Sequence, residues 1–321
     1  MIGARLQPTA FRAMGTECAA AVTIGRSSDR AGATRALTAA QLEVEACEQA
    51  LSRFRPDSDL SRLNSAHGEW VAVDRRLTDA LRSALRARDD TGGRYDPTIL
   101  PALAAAGYDR SFEELEERAP ATADGWRPNA SVELDVAASR ARVEPGAAVD
   151  LGGIGKGFAA ERALQAMTEA WPALPGALVD LGGDIAVCGA PPEGGPWRLS
   201  IADPRGSAEE LATVALRAGA VATSGRDQRR FGPAGRLHHL IDPATGSPAE
   251  QGPLAVTVAG TDAAQVEAYA TALAISSLAE ASALLEARPQ LSALFVPREG
   301  EPIVIGDLPL LATSWLMEVI A

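Results

Sequence analysis

A glycine-rich run, Gly152-Gly153-Ile154-Gly155-Lys156-Gly157, constrains this chain more than any other stretch, because it separates two segments of different periodicity. Ala147 to Leu151 reads as a strand, Gly155 to Trp171 as a helix and Ala177 to Leu181 as a second strand. That order predicts a crossover connection, right-handed if the two strands are parallel. Both strands end in the same residues, Asp150-Leu151-Gly152-Gly153 and Asp180-Leu181-Gly182-Gly183, which suggests two equivalent strand ends facing one site. Glycines at a strand-to-helix turn let backbone N–H groups approach a phosphate, and the helix N-terminus adds a positive field. Lys156, the only lysine of the chain, adds a point charge there. Neither familiar phosphate fingerprint fits. A P-loop needs Ser or Thr where Gly157 stands, and Gly153, Gly155 and Gly157 alternate instead of following G-x-G-x-x-G. A tight turn that simply requires small residues is the competing reading.

The rest of the chain mixes both periodicities. Glu17 to Ile24 predicts an early strand, Ala31 to about Phe54 a long amphipathic helix, and Leu77 to Arg88 a second helix. An acidic stretch followed by Pro, Gly and Asn, within residues 107–130, reads as a surface helix and variable loop. Strands are expected near Glu133 to Val136, Arg140 to Val143, Trp197 to Ile201, Ala212 to Leu216, Ala220 to Thr223, Leu237 to Ile241 and Leu254 to Ala259. Helices near Asp262 to Ser276 and Glu280 to Ala287 follow, then strands Ser292 to Val296 and Pro302 to Ile305. This predicts an α+β fold, mixed β-sheet layers with helices packed on them, in one domain over residues 1–321. Aromatics are only 4% of the residues, so the core should be aliphatic and closely packed.

Charge narrows the partners. A formal net charge of −12 disfavours nucleic acid or an anionic membrane surface, yet leaves room for a small phosphorylated ligand held by a few groups. Cys18, Cys47 and Cys188 have no metal-like spacing and read as free thiols of a reducing compartment. With no apolar leader, lipidation cysteine or membrane-length apolar run, the expected location is cytoplasmic.

Several residues could carry chemistry. His238 and His239 are adjacent at a strand end, so alternation turns one inward, where histidine can act as a base near neutral pH. An edge-strand pair without a role is an equal alternative, and His67 reads as solvated surface. Glu267 and Thr271, four residues apart on a helix, put a carboxylate and a hydroxyl on one face, hard oxygen donors of the kind that suit magnesium. Tyr95-Asp96-Pro97-Thr98 and Thr223-Ser224-Gly225 each read as turns, and Asp96 and Asp242, both before proline, as turn formers first.

Taken in order, these words resemble the FAD:protein FMN transferase family, the ApbE-like flavin transferases. The resemblance starts at Ala13-Met14-Gly15-Thr16 and Leu51-Ser52-Arg53-Phe54 through Leu60-Ser61-Arg62-Leu63-Asn64. It continues through Gly93-Arg94-Tyr95-Asp96-Pro97-Thr98, both Asp-Leu-Gly-Gly words and Ala222-Thr223-Ser224-Gly225, and closes with His239-Leu240-Ile241-Asp242-Pro243-Ala244-Thr245-Gly246 and Ala270-Thr271-Ala272-Leu273. It implies an ApbE-like, T-fold-like architecture that binds FAD and Mg²⁺ and transfers FMN to a Thr or Ser hydroxyl of a target protein, releasing AMP. By matching position it implies His239 and Lys156 as the catalytic residues, with His239 the base or orienting group. Glu267 and Thr271 would hold the metal with a backbone carbonyl near Gly152 or Gly153. Met14, Tyr95, Asp96, Lys156, Gly183, Asp184, Ser224, Gly225 and Asp242 would line the FAD cleft, with Lys156 near the diphosphate. The family usually carries Asp where this chain has Glu267, which reaches one methylene farther. Hydrolysis of FAD to FMN and AMP, or FAD binding without turnover, are the alternatives consistent with the same residues.

Overall fold

The computed structural model describes residues 4–115, 121, 123, 125–207, 210–226, 230–232, 237–313 and 318–320. The chain opens with a hairpin. Strands β1 (Arg5–Ala13) and β2 (Thr16–Ile24) pair antiparallel, with Ala13 opposite Thr16 across the two-residue turn Met14-Gly15. Helix α1 (Arg30–Leu51) follows, then α2 (Asp59–Asn64), whose start is capped by the Ser58 hydroxyl accepting from the Ser61 amide. Strand β3 (Val71–Ala72), helix α3 (Arg75–Asp90) and helix α4 (Leu100–Ala106) lead to strands β4 (Val132–Asp135) and β5 (Arg140–Val143). Strands β3, β5 and β4 form a small sheet of their own.

The second half supplies helix α5 (Gly155–Ala170) and strands β6 (Gly176–Leu181), β7 (Asp184–Gly189), β8 (Trp197–Ala202), β9 (Glu210–Leu216) and β10 (Gly219–Gly225). Short strands β11 (Arg230–Phe231), β12 (Leu237–His238), β13 (Ile241–Asp242) and β14 (Ser247–Pro248) form two small hairpin pairs. Strand β15 (Ala255–Gly260), helices α6 (Ala263–Leu273) and α7 (Leu278–Glu286), and strands β16 (Ser292–Val296), β17 (Ile303–Ile305), β18 (Leu310–Thr313) and β19 (Glu318–Ile320) complete it.

Nine strands make the main sheet, in the order β1-β2-β6-β7-β10-β15-β16-β17-β19. All its pairings are antiparallel except β17 with β19. Period-two alternation along the strands decides which layer each side chain joins. On β10, Ala220 and Ala222 face α6 and the core cluster it shares with α1 and α5, whereas Val221 turns to the other face. There it meets Trp197, Leu199 and Ile201 of β8 and Val214 of β9, in the small sheet β18-β9-β8. The result is helices, a large sheet and a small sheet in three layers. Helices α1 and α5 approach closely because their buried positions are small, Ala33, Ala36 and Ala40 against Ala159, Ala160 and Ala163.

Four expectations change. Ala147 to Leu151 joins no sheet, so α5 is not the crossover of a parallel pair; β6 lies antiparallel between β2 and β7. Thr223-Ser224-Gly225 is not a turn but the end of β10, paired with β15. The strand expected over Leu237 to Ile241 breaks into β12 and β13, leaving His239 and Leu240 between them. Of the surface helix expected within residues 107–130, a single 3₁₀ turn at Phe112–Glu114 is present, and residues 116–120, 122 and 124 lie outside the described residues.

Candidate active site

The two Asp-Leu-Gly-Gly words, the Met14-Gly15 hairpin, the N-terminus of α5, the end of β10 and the His239 segment converge on one cavity of about 1090 Å³. Of the residues singled out from the sequence, Met14, Tyr95, Asp96, Gly153, Lys156, Gly183, Asp184, Ser224, Gly225, His239, Glu267 and Thr271 all line it. Asp242 does not. It sits behind the wall and forms an ion pair, at 3.6 Å, with Arg94, which does line the cavity.

Each aspartate of the repeated word folds its own glycine turn. Asp150 Oδ1 accepts from the Gly152 amide at 2.7 Å, and Asp180 Oδ1 from the Gly183 amide at 2.7 Å. Asp150 also binds Arg53, its Oδ2 lying 2.6 Å from the guanidinium Nε, with both side chains largely buried. That guanidinium lies over the rings of Phe54, at 4.1 Å, and Tyr108, at 4.7 Å, and donates to the Tyr108 carbonyl. Arg53 and Asp150 stand in separate short words of the sequence, and neither word carries a sign of the other. Their pairing across almost a hundred residues is absent from any local pattern.

At the floor, α5 and α6 cross. Glu267, on α6, reaches the first turn of α5: its Oε2 accepts from the Gly157 amide at 2.7 Å and its Oε1 lies 3.1 Å from Lys156 Nζ. This carboxylate therefore caps the helix from outside, compensating a terminus whose own Ile154 offers no capping side chain. Lys156 also forms an ion pair with buried Asp184. Gly157 is small because a Cβ there would lie 2.2 Å from the Ala263 carbonyl oxygen.

Gly153 packs closely against Thr271, since a Cβ would come within 2.8 Å of Thr271 Oγ1 and 3.3 Å of the Tyr95 ring. Thr271 Oγ1 lies 3.4 Å from Ser224 Oγ. Tyr95 is buried, its hydroxyl has no hydrogen-bond partner, and burial together with Asp150, Glu267 and Asp96 pushes the phenol well above its ordinary range. Asp96, by contrast, is fully engaged. Its Oδ1 accepts from the amide and hydroxyl of Thr98, and its Oδ2 from the Asn129 amide at 2.6 Å, so it shapes the wall.

The two histidines differ in their surroundings, His238 ending β12 and His239 lying in the break after it. His239 lines the cavity. His238 is buried with Nε2 3.1 Å from the Ala249 carbonyl, and burial, reinforced by Arg226, lowers its pKa to about 4. Seven carboxylates and four cationic side chains line the cavity, so it is net negative with His239 neutral. Oxygen donors suited to a small divalent cation are present at Glu267, Thr271 and Asp184, beside the unpartnered Tyr95 hydroxyl. No cluster of three His, Cys, Asp or Glu side chains is assembled among the described residues, so a cation here would rely on hydroxyl, backbone or ligand oxygens.

Fold and site together define an α+β protein with a deep, oxygen-rich cleft at the meeting of glycine turns and one helix N-terminus. The chain belongs to the ApbE family, which it matches over residues 14–295. It is 34% identical over 268 residues to the FAD:protein FMN transferase of Treponema pallidum, covering 78% of this chain and 73% of that protein. With the FAD:protein FMN transferase of Salmonella typhimurium it shares 28% identity over 274 residues, 82% of this chain and 77% of the other. Among solved structures, the ApbE protein of Thermotoga maritima superposes with a TM-score of 0.78 at 28% identity, covering 93% of this chain and 96% of that one.

Proposed function

We propose that this chain is a Mg²⁺-dependent enzyme that transfers FMN from FAD to a Thr or Ser hydroxyl of a target protein. The acceptor oxygen bonds to the FMN-side phosphorus, the bond from that phosphorus to the oxygen bridging to AMP breaks, and AMP leaves. The observation that carries this reading is the convergence of Lys156, His239, Glu267 and Thr271, from distant parts of the chain, on one cavity large enough for a dinucleotide. Ligand clefts commonly enclose about 300–1000 Å³, and this one, at about 1090 Å³, is slightly larger.

The residues have distinct tasks. His239 takes the proton of the incoming hydroxyl, a role suited to an imidazole near neutral pH. Lys156 and the first turn of α5 face the diphosphate, while Gly153 and Gly183 let it approach the backbone. Met14, Tyr95, Asp96, Ser224 and Gly225 form the walls around FAD, and Asp242 holds Arg94 of that wall from behind. When bound, Mg²⁺ at Glu267, Thr271 and the Gly153 carbonyl would neutralise charge developing on the phosphoryl group. The whole chain acts as one catalytic domain, because its main sheet takes strands from both ends of the sequence. Three free cysteines are in keeping with a reducing compartment such as the cytoplasm, and no helix among the described residues is long and apolar enough to cross a membrane.

The test is mass spectrometry after mixing protein, FAD and Mg²⁺ with a Ser/Thr-Gly-Ala acceptor peptide. Peptide gaining the mass of FMN less water, with stoichiometric AMP and loss of both in EDTA, is expected. Free FMN and AMP without labelled peptide would make the protein a hydrolase, and bound FAD without any product would make it a binding protein. His239→Asn should retain FAD binding while transfer falls by about 100-fold or more; unchanged transfer would remove His239 from the chemistry.

A further inference from the structure

We propose that Lys156 is an internal counter-cation that occupies the divalent-cation site of the substrate-free protein and vacates it when FAD and the metal arrive together. This rests on the reading of the cleft as a metal-assisted FAD site. Asp184 and Glu267 project from β7 and α6, and the side chain of each is only 4% exposed. Two buried carboxylates facing one another repel strongly unless a positive charge stands between them. Lys156 supplies that charge by pairing with both at once.

The remaining hydrogen-bond capacity of the pair makes this arrangement an exchange site. Glu267 Oε2 is taken by the Gly157 amide, so Oε1 is the oxygen facing the cavity, and Lys156 holds it. Asp184 has no other ion-pair partner among the described residues. Tyr95 adds an independent sign of a missing ligand: a buried hydroxyl, in the same cavity, with no hydrogen-bond partner. A divalent cation held by Glu267 and the ammonium cannot share Glu267 Oε1.

The two cations differ in what they can do once displaced. Lys156 sits on a flexible four-carbon stem in the first turn of α5, so its ammonium can leave the carboxylates and turn to an incoming phosphate. A diphosphate entering this net-negative cavity needs both positive charges. Without FAD the lysine has no better partner and keeps the metal out; with FAD it moves to the phosphates and the carboxylates become available. Metal and FAD binding are thereby coupled through one side chain.

Mn²⁺ binding followed by electron paramagnetic resonance, with and without FAD, tests this in wild type, Lys156→Met and Lys156→Gln. Wild type should bind Mn²⁺ at least tenfold more tightly with FAD than without. Both variants should bind Mn²⁺ at least tenfold more tightly than wild type in the absence of FAD. Lys156→Gln keeps a donor between the carboxylates in case Lys156→Met does not fold, and circular dichroism reports folding of each. Equal Mn²⁺ affinity of wild type with and without FAD, or no gain in a folded variant, overturns the proposal while leaving the metal-assisted reading standing. No Mn²⁺ binding by wild type under either condition overturns both.

Discussion

Met14 has φ of 52° and, with Gly15 at 69°, forms the hairpin turn between β1 and β2. Two-residue turns of this hand favour Asn-Gly, because a side chain with a longer stem strains the left-handed conformation by about 1 kcal/mol. Met14 also lines the cavity, so the strain sits in the wall of the candidate site. Met14→Asn should raise unfolding free energy by about 1 kcal/mol in urea titrations while weakening FAD binding; a loss of stability would remove the strain argument. The neighbouring histidines offer a second check. His238 is depressed from 6.5 to about 4, so between those values the unfolded chain binds a proton that the folded one refuses. Stability is complete above pH 6.5 and falls as pH drops toward 4, by up to about 3 kcal/mol. Urea midpoints across that range should fall more steeply for wild type than for His238→Gln, which has nothing to titrate. Residues of rare type were easy to single out by eye, such as the sole lysine or a histidine doublet. Arg53 and Asp150 were not, because one arginine among many gives no sign of its partner.

Helix α5 shows how far element-scale reading reaches. Its span followed from apolar spacing and came within a residue of Gly155–Ala170. The segment before it, Ala147 to Leu151, has the pattern of a strand, yet it joins no sheet and its hydrogen bonds go elsewhere. The Asn64 side chain binds both the carbonyl and amide of Val149, and the Asp150 amide donates to the Pro97 carbonyl. An apolar extended stretch looks the same whether a strand or a carboxamide completes it, so periodicity could not choose. The same limit hid the antiparallel placement of β6, since the sequence of elements does not name their neighbours. Crossing helices set a different demand at Gly157. Gly157→Ala places a methyl against the Ala263 carbonyl and pushes α5 away from Glu267. Thermal and urea unfolding should show a loss of roughly 1–3 kcal/mol, the usual effect of overpacking. Wild-type stability in that variant would mean that the crossing relaxes freely.

Across the whole molecule, the α+β architecture was legible because amphipathic helices and alternating strands announce themselves separately, and their mixture excludes an all-helical or all-sheet fold. The three-layer order was not, since it depends on which face of the main sheet receives β8 and β9. The net-negative cavity leads to a prediction at this scale. FAD with Mg²⁺ should raise the melting temperature by more than the separate effects of FAD and Mg²⁺ combined, because each supplies charge that the other requires. Additive shifts in differential scanning calorimetry would disconnect the two.

Arginine carries every other side-chain positive charge of this protein, so Lys156 is its single side-chain amine. Growth on lysine labelled with nitrogen-15 at the side chain would therefore yield a protein with one resonance from that atom, located at the floor of the cavity. A magnetic-resonance spectrum that usually needs assignment across dozens of overlapping signals would report on this one site without any substitution at all.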